Sequence, residues 1–221
     1  MTRGISGIRR IGLIGGTFNP IHVGHLRSAA EVADAFGLER IVFIVSAVPP
    51  HKESKGIIDA GHRLEMVRRA VRGNPRFVAS DLEIRRAGMS YTVDTLRYLR
   101  KRLGEAADIF FILGLDAFEE ITTWREYREV FSLSHFIVTD RPLDTRKDPK
   151  PTLPRELGDI FSEGERGCLV HASGKRLCFY DITAIDISAT AIRNLVREKK
   201  SIWYLVPDRV RRYIDDKGLY R

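Results

Sequence analysis

A short apolar run that ends in two glycines constrains the fold of this chain more than any other feature. Residues 11–14 are apolar, Gly15 and Gly16 follow, and Asn19-Pro20 precedes an amphipathic stretch at about 21–36. A run of this length stopped by glycines is typical of a buried strand in a parallel sheet. Proline tolerates the first turn of a helix because its φ is fixed and it lacks an N–H. We therefore predict a strand, a backbone turn and a helix in succession.

The rest of the chain repeats this alternation. Apolar runs predict strands at 40–47, 77–84, 108–113 and 135–139, and a hairpin or two sheet-edge strands at 168–172 and 176–182. Periodic apolar positions predict helices at 60–72, from about 90 onward, at about 157–161, at 188–200 and near the C-terminus. A helix between the first two strands implies that they pair in parallel, so the fold class is α/β. The length of 221 residues suits one domain, 1–221, with a helical C-terminal end and a polar, proline-rich surface excursion at about 143–167.

Composition narrows the possible partners. The net charge of +8 and the isoelectric point of about 9.7 suit an anionic partner. The basic residues, Arg63 among them, are scattered at spacings expected for solvated helix faces, and no RNA-recognition, helix-turn-helix or zinc-finger pattern occurs. We expect a small anionic partner and no nucleic acid, with sequence-nonspecific nucleic-acid binding as the alternative.

The chain also lacks the signals of export and membrane insertion. Its apolar runs are far shorter than the ~20 residues of a membrane span, and residues 1–10 contain no hydrophobic signal region. We expect no membrane partner and a cytoplasmic location. Cys168 and Cys178 could pair across the predicted hairpin, but a reducing compartment would keep both as thiols.

Two histidines mark the first chemical segment. His22 and His25 are three residues apart, so they share one face of the first turn of the predicted helix. Beside glycine N–H groups and the positive end of a helix dipole, two imidazoles stabilise anionic oxygens. The segment matches neither G-x-x-x-x-G-K-[ST] nor G-x-G-x-x-G, so phosphates would be bound differently from those two loops. Zinc ligation and a purely structural pair remain alternatives.

Further polar residues follow the predicted strands or begin the later helices. Lys52 follows two prolines after the second strand, and Asp116 follows the fourth, where open α/β sheets bind ligands. Ser90 or Thr92 can cap the helix that starts near 90. Ser188 can cap the helix at 188–200, which gathers Thr190 and Arg193 at the same end.

These segments carry a resemblance. GGTFNPIHVGH resembles the signature of the HxGH nucleotidyltransferase superfamily and is similar in wording to bacterial nicotinate-nucleotide adenylyltransferases. HxGH is shared with pantetheine-phosphate adenylyltransferases, cytidylyltransferases and class I tRNA synthetases. DISATAIR, at 186–193, resembles the family's ISSTxIR motif with Ala189 in place of the second serine. The PPHK, SYT-x-DTL and G-x-D stretches are similar to the family's as well.

The resemblance implies a Rossmann-like doubly wound parallel sheet and adenylyl transfer from ATP to nicotinate mononucleotide, with release of pyrophosphate. It implies Mg²⁺ held mainly by the ATP phosphates and no metal held by the protein. Nicotinamide mononucleotide or another phosphate acceptor is the alternative within enzymes, and a nucleotide-sensing or RNA-binding protein is the alternative outside them. The oligomeric state, monomer or homo-oligomer, is undetermined.

The same resemblance implies residue roles. The catalytic residues are His22, His25, Lys52 and Arg193. The ATP-binding residues are Gly15, Gly16, Thr17, Phe18, Gly114, Asp116, Arg141, Ser188 and Thr190. The nicotinate mononucleotide-binding residues are Thr92, Trp124 and Tyr127, where Tyr127 substitutes for a second aromatic because Arg125 follows Trp124.

Overall fold

The computed structural model describes residues 7–48, 56–86, 88–140 and 153–221. Within these residues the chain forms an eight-stranded sheet flanked by helices. The strands are β1 (Arg10–Gly16), β2 (Arg40–Val45), β3 (Phe77–Ser80), β4 (Asp108–Gly114), β5 (His135–Asp140), β6 (Phe161–Glu163), β7 (Cys168–His171) and β8 (Arg176–Asp181). The helices are α1 (Val23–Ala35), α2 (Ala60–Val71), α3 (Leu82–Arg86), α4 (Thr92–Leu103), α5 (Leu115–Glu119), α6 (Tyr127–Leu133), α7 (Ala189–Arg197) and α8 (Asp208–Lys217).

The strand order is β3-β2-β1-β4-β5-β8-β7-β6. Pairing is parallel from β3 to β8 and antiparallel for β8 with β7 and β7 with β6. The chain runs outward from β1 to β3 and then crosses to β4 on the other side of β1. This reversal is that of a Rossmann-like sheet, and it opens a crevice at the carboxyl ends of β1 and β4. The predicted α/β, Rossmann-like doubly wound fold is confirmed.

Two apolar clusters cover the two faces of the sheet. Ile11 and Leu13 pack with apolar residues of α4 and α6 on one face. Phe43 and Val45 pack with apolar residues of α1, α2, α7 and α8 on the other. Burying each such side chain stabilises the fold by about 1.5–3 kcal/mol. Among the described residues, none of the helices has the length and apolarity needed to cross a membrane.

Two local predictions were wrong between β3 and α4. The predicted strand at 77–84 ends at Ser80, whose hydroxyl accepts the N–H of Leu82 at 3.3 Å as α3 begins. Neither Ser90 nor Thr92 caps α4, which has Tyr91 at its N-cap position and no side-chain cap. The Ser90 hydroxyl instead accepts the N–H of Ala47, directly after β2. A tertiary contact therefore replaces the local one.

The described part of the predicted surface excursion, residues 153–167, extends the sheet. Leu157 is fully buried against the cluster that contains α4 and α6. The short helix predicted at about 157–161 was wrong, because the helical turn spans Arg155–Leu157 and Phe161 begins β6. This segment thereby pairs with β7 at the far edge of the sheet.

The predicted hairpin is confirmed, and its two cysteines are joined. Cys168 of β7 lies directly opposite Cys178 of β8, with their Cα atoms 4.3 Å apart, and the structure contains a disulfide between them. The prediction that both remain thiols was therefore wrong for this structure. The register of the two strands, which sequence spacing alone left open, brings the sulfur atoms together.

Candidate active site

A cleft of about 980 Å³ opens at the carboxyl edge of the sheet. It lies where the strand order reverses, between the ends of β1 and β4, and this is the expected ligand position in an open α/β sheet. The predicted site residues that line it are Gly15, Gly16, Thr17, Phe18, His22, His25, Thr92, Gly114, Asp116, Trp124, Ser188, Thr190 and Arg193. Residues predicted from separate motifs thus share one cavity.

The turn from β1 to α1 forms the floor of the cleft. Phe18 is buried and has a left-handed φ of 48°. Its ring packs so close to Gly16 that a Cβ there would lie 2.9 Å from the ring, so Gly16 allows this close approach. The Phe18 ring also meets His25 edge-on, with the ring centroids 5.3 Å apart. Gly16 therefore allows the Phe18 ring to pack against His25.

The two histidines lie at the start of α1. His22 is the N-cap residue and is 3% exposed, and its ring centroid is 3.7 Å from that of His25. The N–H of His22 donates to Nδ1 of His25 at 3.2 Å. A Cβ on Gly24, between them, would lie 3.1 Å from Nδ1 of His22, so a side chain there would require the His22 ring to shift. The prediction that both rings lie at the first turn is confirmed, although α1 begins at Val23.

The C-terminal motif, residues 186–193, contacts the turn between β1 and α1. Arg193 of α7 donates from Nη1 to the carbonyl oxygen of Asn19 at 2.9 Å and from Nη2 to the hydroxyl of Thr190 at 3.1 Å. Ser188 caps α7 by accepting the N–H of Ala191, as predicted. A guanidinium, a hydroxyl and the N-terminus of α7 therefore lie beside the turn that leads into the N-terminus of α1.

Asn19 connects the turn to two other parts of the chain. Its amide donates to the carbonyl oxygen of Gly56 at 2.8 Å, and its Oδ1 accepts the hydroxyl of Tyr220 at 2.9 Å. Burial raises the pKa of Tyr220, so this phenol remains protonated and keeps donating. The buried asparagine thus fixes the turn through hydrogen bonds that need no charge.

The opposite end of the cleft is formed by β4, α4 and the segment after α5. Gly114 is the N-cap residue of α5 and Asp116 lies in its exposed first turn. Thr92 begins α4, and the partly buried Trp124 meets Phe111 edge-on with centroids 6.0 Å apart. This end offers an aromatic face and polar groups to a flat ligand.

Comparisons with known proteins decide the family. The cytidylyltransferase-like family model matches residues 13–195. A protein of Citrifermentans bemidjiense named "Probable nicotinate-nucleotide adenylyltransferase" is 45% identical over 96% of this chain and 98% of its own. One of Desulfitobacterium hafniense with the same name is 46% identical over 96% of each chain. The chain belongs to the nicotinate-nucleotide adenylyltransferases.

A solved member of this enzyme class has the same fold. The structure of Plasmodium falciparum nicotinic acid mononucleotide adenylyltransferase complexed with NaAD superposes with a TM-score of 0.72, at 17% identity, over 96% of this chain and 97% of that one. At this identity the likeness concerns the fold alone. It agrees with the nicotinate-nucleotide adenylyltransferase family assigned from sequence.

Tyr127 does not join the other predicted site residues. It is absent from the described residues that line the cleft, and its ring packs against the apolar cluster of α4 and α6. Arg125, which lines the cleft, lies over the ring of Tyr91 at 5.0 Å. This geometry does not support Tyr127 as the second stacking aromatic.

Lys52 and Arg141 lie outside the described residues. Their predicted roles at the phosphates therefore remain predictions from the sequence.

Glu83 is a cleft residue that sequence reasoning missed. It is 8% exposed, and its Oε1 accepts the hydroxyl of Thr95 at 2.6 Å. Burial raises the pKa of Glu83, while hydrogen bonds from Thr95 and Ser90 and the charge of Arg86 oppose the shift. Its position in the predicted strand at 77–84 gave no sign of this burial. A carboxylate therefore lies under the Thr92 end of the cleft.

Sequence reasoning also missed the burial of Arg63. The prediction that this residue lies on a solvated helix face was wrong. It is 2% exposed and donates to three carbonyl oxygens, those of Ile58, Thr17 and Ala47, at 3.0, 2.8 and 3.1 Å. Helical spacing suggested a surface residue, but the turn after β1 folds over this face of α2. No signal in the sequence distinguishes Arg63 from the exposed arginines of the same helix.

Proposed function

We propose that this chain transfers the adenylyl group of ATP to nicotinate mononucleotide, giving nicotinate adenine dinucleotide and pyrophosphate in NAD biosynthesis. The observation that carries the proposal is the hydrogen bond from Arg193 to the carbonyl oxygen of Asn19, which joins the two motifs at one cleft. Adenylyl transfer requires cationic and N–H donors that converge on a triphosphate, and this contact brings both kinds together.

The chemistry needs positioning more than it needs a base. The phosphate monoester of the acceptor is largely anionic near neutral pH, so its oxygen attacks the α-phosphorus without a general base. A bond forms between that oxygen and the α-phosphorus, and the bond from the α-phosphorus to the bridging oxygen breaks, so pyrophosphate leaves with its electron pair. We assign His22 and His25 to the α-phosphoryl group, where donors fixed in advance stabilise the developing charge.

The C-terminal motif is proposed to bind the β- and γ-phosphates of ATP. We assign Arg193, Ser188 and Thr190 to the β- and γ-phosphates, because a guanidinium and a helix N-terminus both bind phosphate oxygens. Lys52 is proposed for the same phosphates on the family resemblance. Gly15, Gly16, Thr17 and Phe18 are proposed to line the ATP phosphates.

The groups at the end of the cleft formed by β4, α4 and the segment after α5 are proposed to divide between the two nucleosides. Asp116, in its exposed turn after Gly114, suits hydrogen bonds to ribose hydroxyls, and Arg141 is proposed for the ATP side on the resemblance. Thr92 and Trp124 are proposed for nicotinate mononucleotide, since an indole face stacks on a pyridine ring. Tyr127 would need to move to take part.

We further propose that Mg²⁺ enters with ATP. Within the described residues, no group of three or more histidine, cysteine, aspartate or glutamate side chains is arranged to hold a metal ion. A phosphate-held ion that keeps several waters needs no such group and supplies charge neutralisation on the phosphates. The cytoplasmic location stays a prediction from the sequence.

A pyrophosphate-release assay tests the function. Purified protein is incubated with ATP and Mg²⁺ and, in separate reactions, nicotinate mononucleotide, nicotinamide mononucleotide or no acceptor. We expect pyrophosphate in amounts equal to the dinucleotide formed with the nicotinate form. Faster release with the amide would favour the alternative acceptor. Nucleotide binding with no release would favour a sensor, and RNA binding that weakens steeply with salt would favour the nucleic-acid alternative.

A further inference from the structure

Arg63 is a buried cation that donates three hydrogen bonds to main-chain oxygens. Its three carbonyl partners belong to three separate segments, at Thr17 after β1, at Ala47 after β2 and at Ile58 before α2. Within the described residues, no carboxylate lies within ion-pair distance of it. Burial lowers the pKa of Arg63, yet an arginine keeps its charge in proteins.

A charge in this position is costly for stability alone. Burying a cation away from any ion-pair partner is costly in hydration free energy, and the nearby charge of Asp59, which raises the pKa of Arg63, offsets only part of the effect of burial. The three hydrogen bonds from the guanidinium to carbonyl oxygens offset part of this desolvation cost. Keeping a charge at such a position suggests a role in the cleft beside it.

Three carbonyl oxygens at the end of β1 and in the turn after it accept hydrogen bonds from protein donors. That of Gly16 accepts the N–H of Ser46 at 3.0 Å, that of Thr17 accepts Arg63, and that of Asn19 accepts Arg193. In a trans peptide the next N–H points opposite to the carbonyl. Because Arg63 holds the Thr17 oxygen, the N–H of Phe18 points away from Arg63. The Thr17–Phe18 peptide, whose two residues line the cleft, is thus held with its carbonyl toward Arg63 and its N–H on the other side.

The same guanidinium reaches the acceptor end through Ala47. Its Nη2 binds the Ala47 carbonyl, the Ala47 N–H donates to the Ser90 hydroxyl at 2.9 Å, and Ser90 hydrogen-bonds to Glu83. Ser90 and Glu83 both line the cleft beside Thr92. One buried residue thus fixes main-chain groups beside both proposed substrate positions.

We propose that Arg63 is a positioning residue for adenylyl transfer, which orients the turn after β1 so that its N–H groups face the ATP phosphates. This role rests on the proposed function. Arg63 touches main chain rather than substrate, and it acts through the Thr17–Phe18 peptide. Its loss should weaken ATP binding and slow the transfer, more than a loss of stability would explain.

Arg100 provides a matched control. Its side chain is 10% exposed and donates to three carbonyl oxygens, those of Gly104, Ala107 and Leu133, at 3.1, 2.7 and 2.7 Å. These groups precede or follow elements at the amino edge of the sheet, opposite the cleft. Arg100→Met therefore removes a similar set of bonds without touching the proposed site.

The experiment compares Arg63→Met, Arg63→Lys and Arg100→Met with the wild type. Tm, ATP affinity by calorimetry without acceptor, and kcat and KM for ATP are measured well below the lowest Tm. We expect Arg63→Met to lower kcat/KM for ATP by about 10²-fold, the cost of misplacing reacting groups by about 1 Å. Arg63→Lys, which keeps the charge but not the three-way geometry, should fall in between. Arg100→Met should keep nearly full activity at an equal loss of Tm.

Three results would overturn the role: an Arg63→Met protein with kcat/KM near that of the wild type, an Arg100→Met protein with an equal loss of activity, or unchanged ATP affinity in both Arg63 variants. If Arg63→Met does not fold, Arg63→Lys with wild-type kinetics would overturn it as well. A wild type that binds ATP but releases no pyrophosphate would refute the proposed function instead. The comparison of ATP affinities would still judge Arg63.

Discussion

The backbone N–H of His22 donates to Nδ1 of His25 over 3.2 Å. A ring nitrogen that accepts this bond carries no proton, so the neutral His25 ring carries its proton on Nε2. The first turn of α1 therefore sets the tautomer of one histidine through the main chain of the other. His25 lines the cleft, and a ring fixed in this way has its N–H donor on Nε2, the kind of group that stabilises a phosphoryl oxygen.

This tautomer predicts how two amide variants of His25 differ. Glutamine places an amide donor near the position of Nε2, whereas asparagine reproduces the acceptor at Nδ1. We expect His25→Gln to retain about tenfold more turnover than His25→Asn, and His22→Ala to lose roughly 10²-fold, the range for one lost oxyanion donor. Steady-state kcat with ATP and nicotinate mononucleotide is the measurement. Higher activity in the asparagine variant would reverse the assignment, and near wild-type turnover in His22→Ala would remove His22 from the mechanism.

Substitutions of Trp124 and Tyr127, the two aromatic residues predicted to stack on the acceptor nucleotide, should affect KM differently. Trp124 lines the cleft, whereas Tyr127 packs into the apolar cluster. We expect Trp124→Ala to raise KM for nicotinate mononucleotide by up to about tenfold, since stacking on an aromatic face is worth about 0.5–1.5 kcal/mol, with little change in KM for ATP. Tyr127→Leu removes the aromatic face but keeps an apolar side chain against the cluster, and it should leave both KM values unchanged. A rise in KM in Tyr127→Leu equal to that in Trp124→Ala would restore the second aromatic.

Glu83 should reduce stability at neutral pH. Its pKa is raised by burial, so its contribution to stability is complete below the ordinary pKa of a glutamate and is lost as the pH rises through the raised value. Glu83→Gln removes this penalty and still accepts a hydrogen bond from Thr95. We expect its Tm to exceed that of the wild type by a few degrees at pH 8, with the difference shrinking toward pH 4. A constant difference across this range would mean that Glu83 does not titrate in this way.

His135, the first residue of β5, should give the opposite pH dependence of stability. Burial and then the nearby Lys175 lower the pKa of His135 to about 4, with Asp108 opposing them, and Nδ1 accepts the N–H of Arg176 at 3.0 Å. The unfolded chain binds this proton near pH 6.5. The contribution of His135 to the free energy of unfolding is therefore fully present above pH 6.5. It falls by about 1.4 kcal/mol per pH unit as the pH drops toward 4.

Chemical denaturation of His135→Gln and the wild type between pH 4 and pH 7 measures this effect. The variant should lose that part of the slope, while both proteins keep the slope from their carboxylates. Parallel curves for the two proteins would show that His135 titrates equally in the folded and unfolded states.

Local patterns predicted the parts of this fold that depend on neighbouring residues. The alternation of apolar runs with amphipathic stretches predicted the parallel sheet, because the period of the apolar positions reports which face is buried. Boundaries were less accurate. The strand predicted at 77–84 ends at Ser80, since a hydroxyl–backbone contact starts a helix there. Capping of α4 failed because the Ser90 hydroxyl had a tertiary partner at Ala47.

By itself, the sequence determined the chemistry that the chain carries: two histidines at one helix turn and a serine-capped helix with an arginine near its start. Only the tertiary structure decided that Arg193 meets the carbonyl of Asn19 across 174 positions and that Arg63 is buried. It also decided that Glu83 lines the cleft, whereas Tyr127 does not. The reason is physical: a polar side chain is buried only where distant segments supply its hydrogen-bond partners, and their convergence leaves no local pattern.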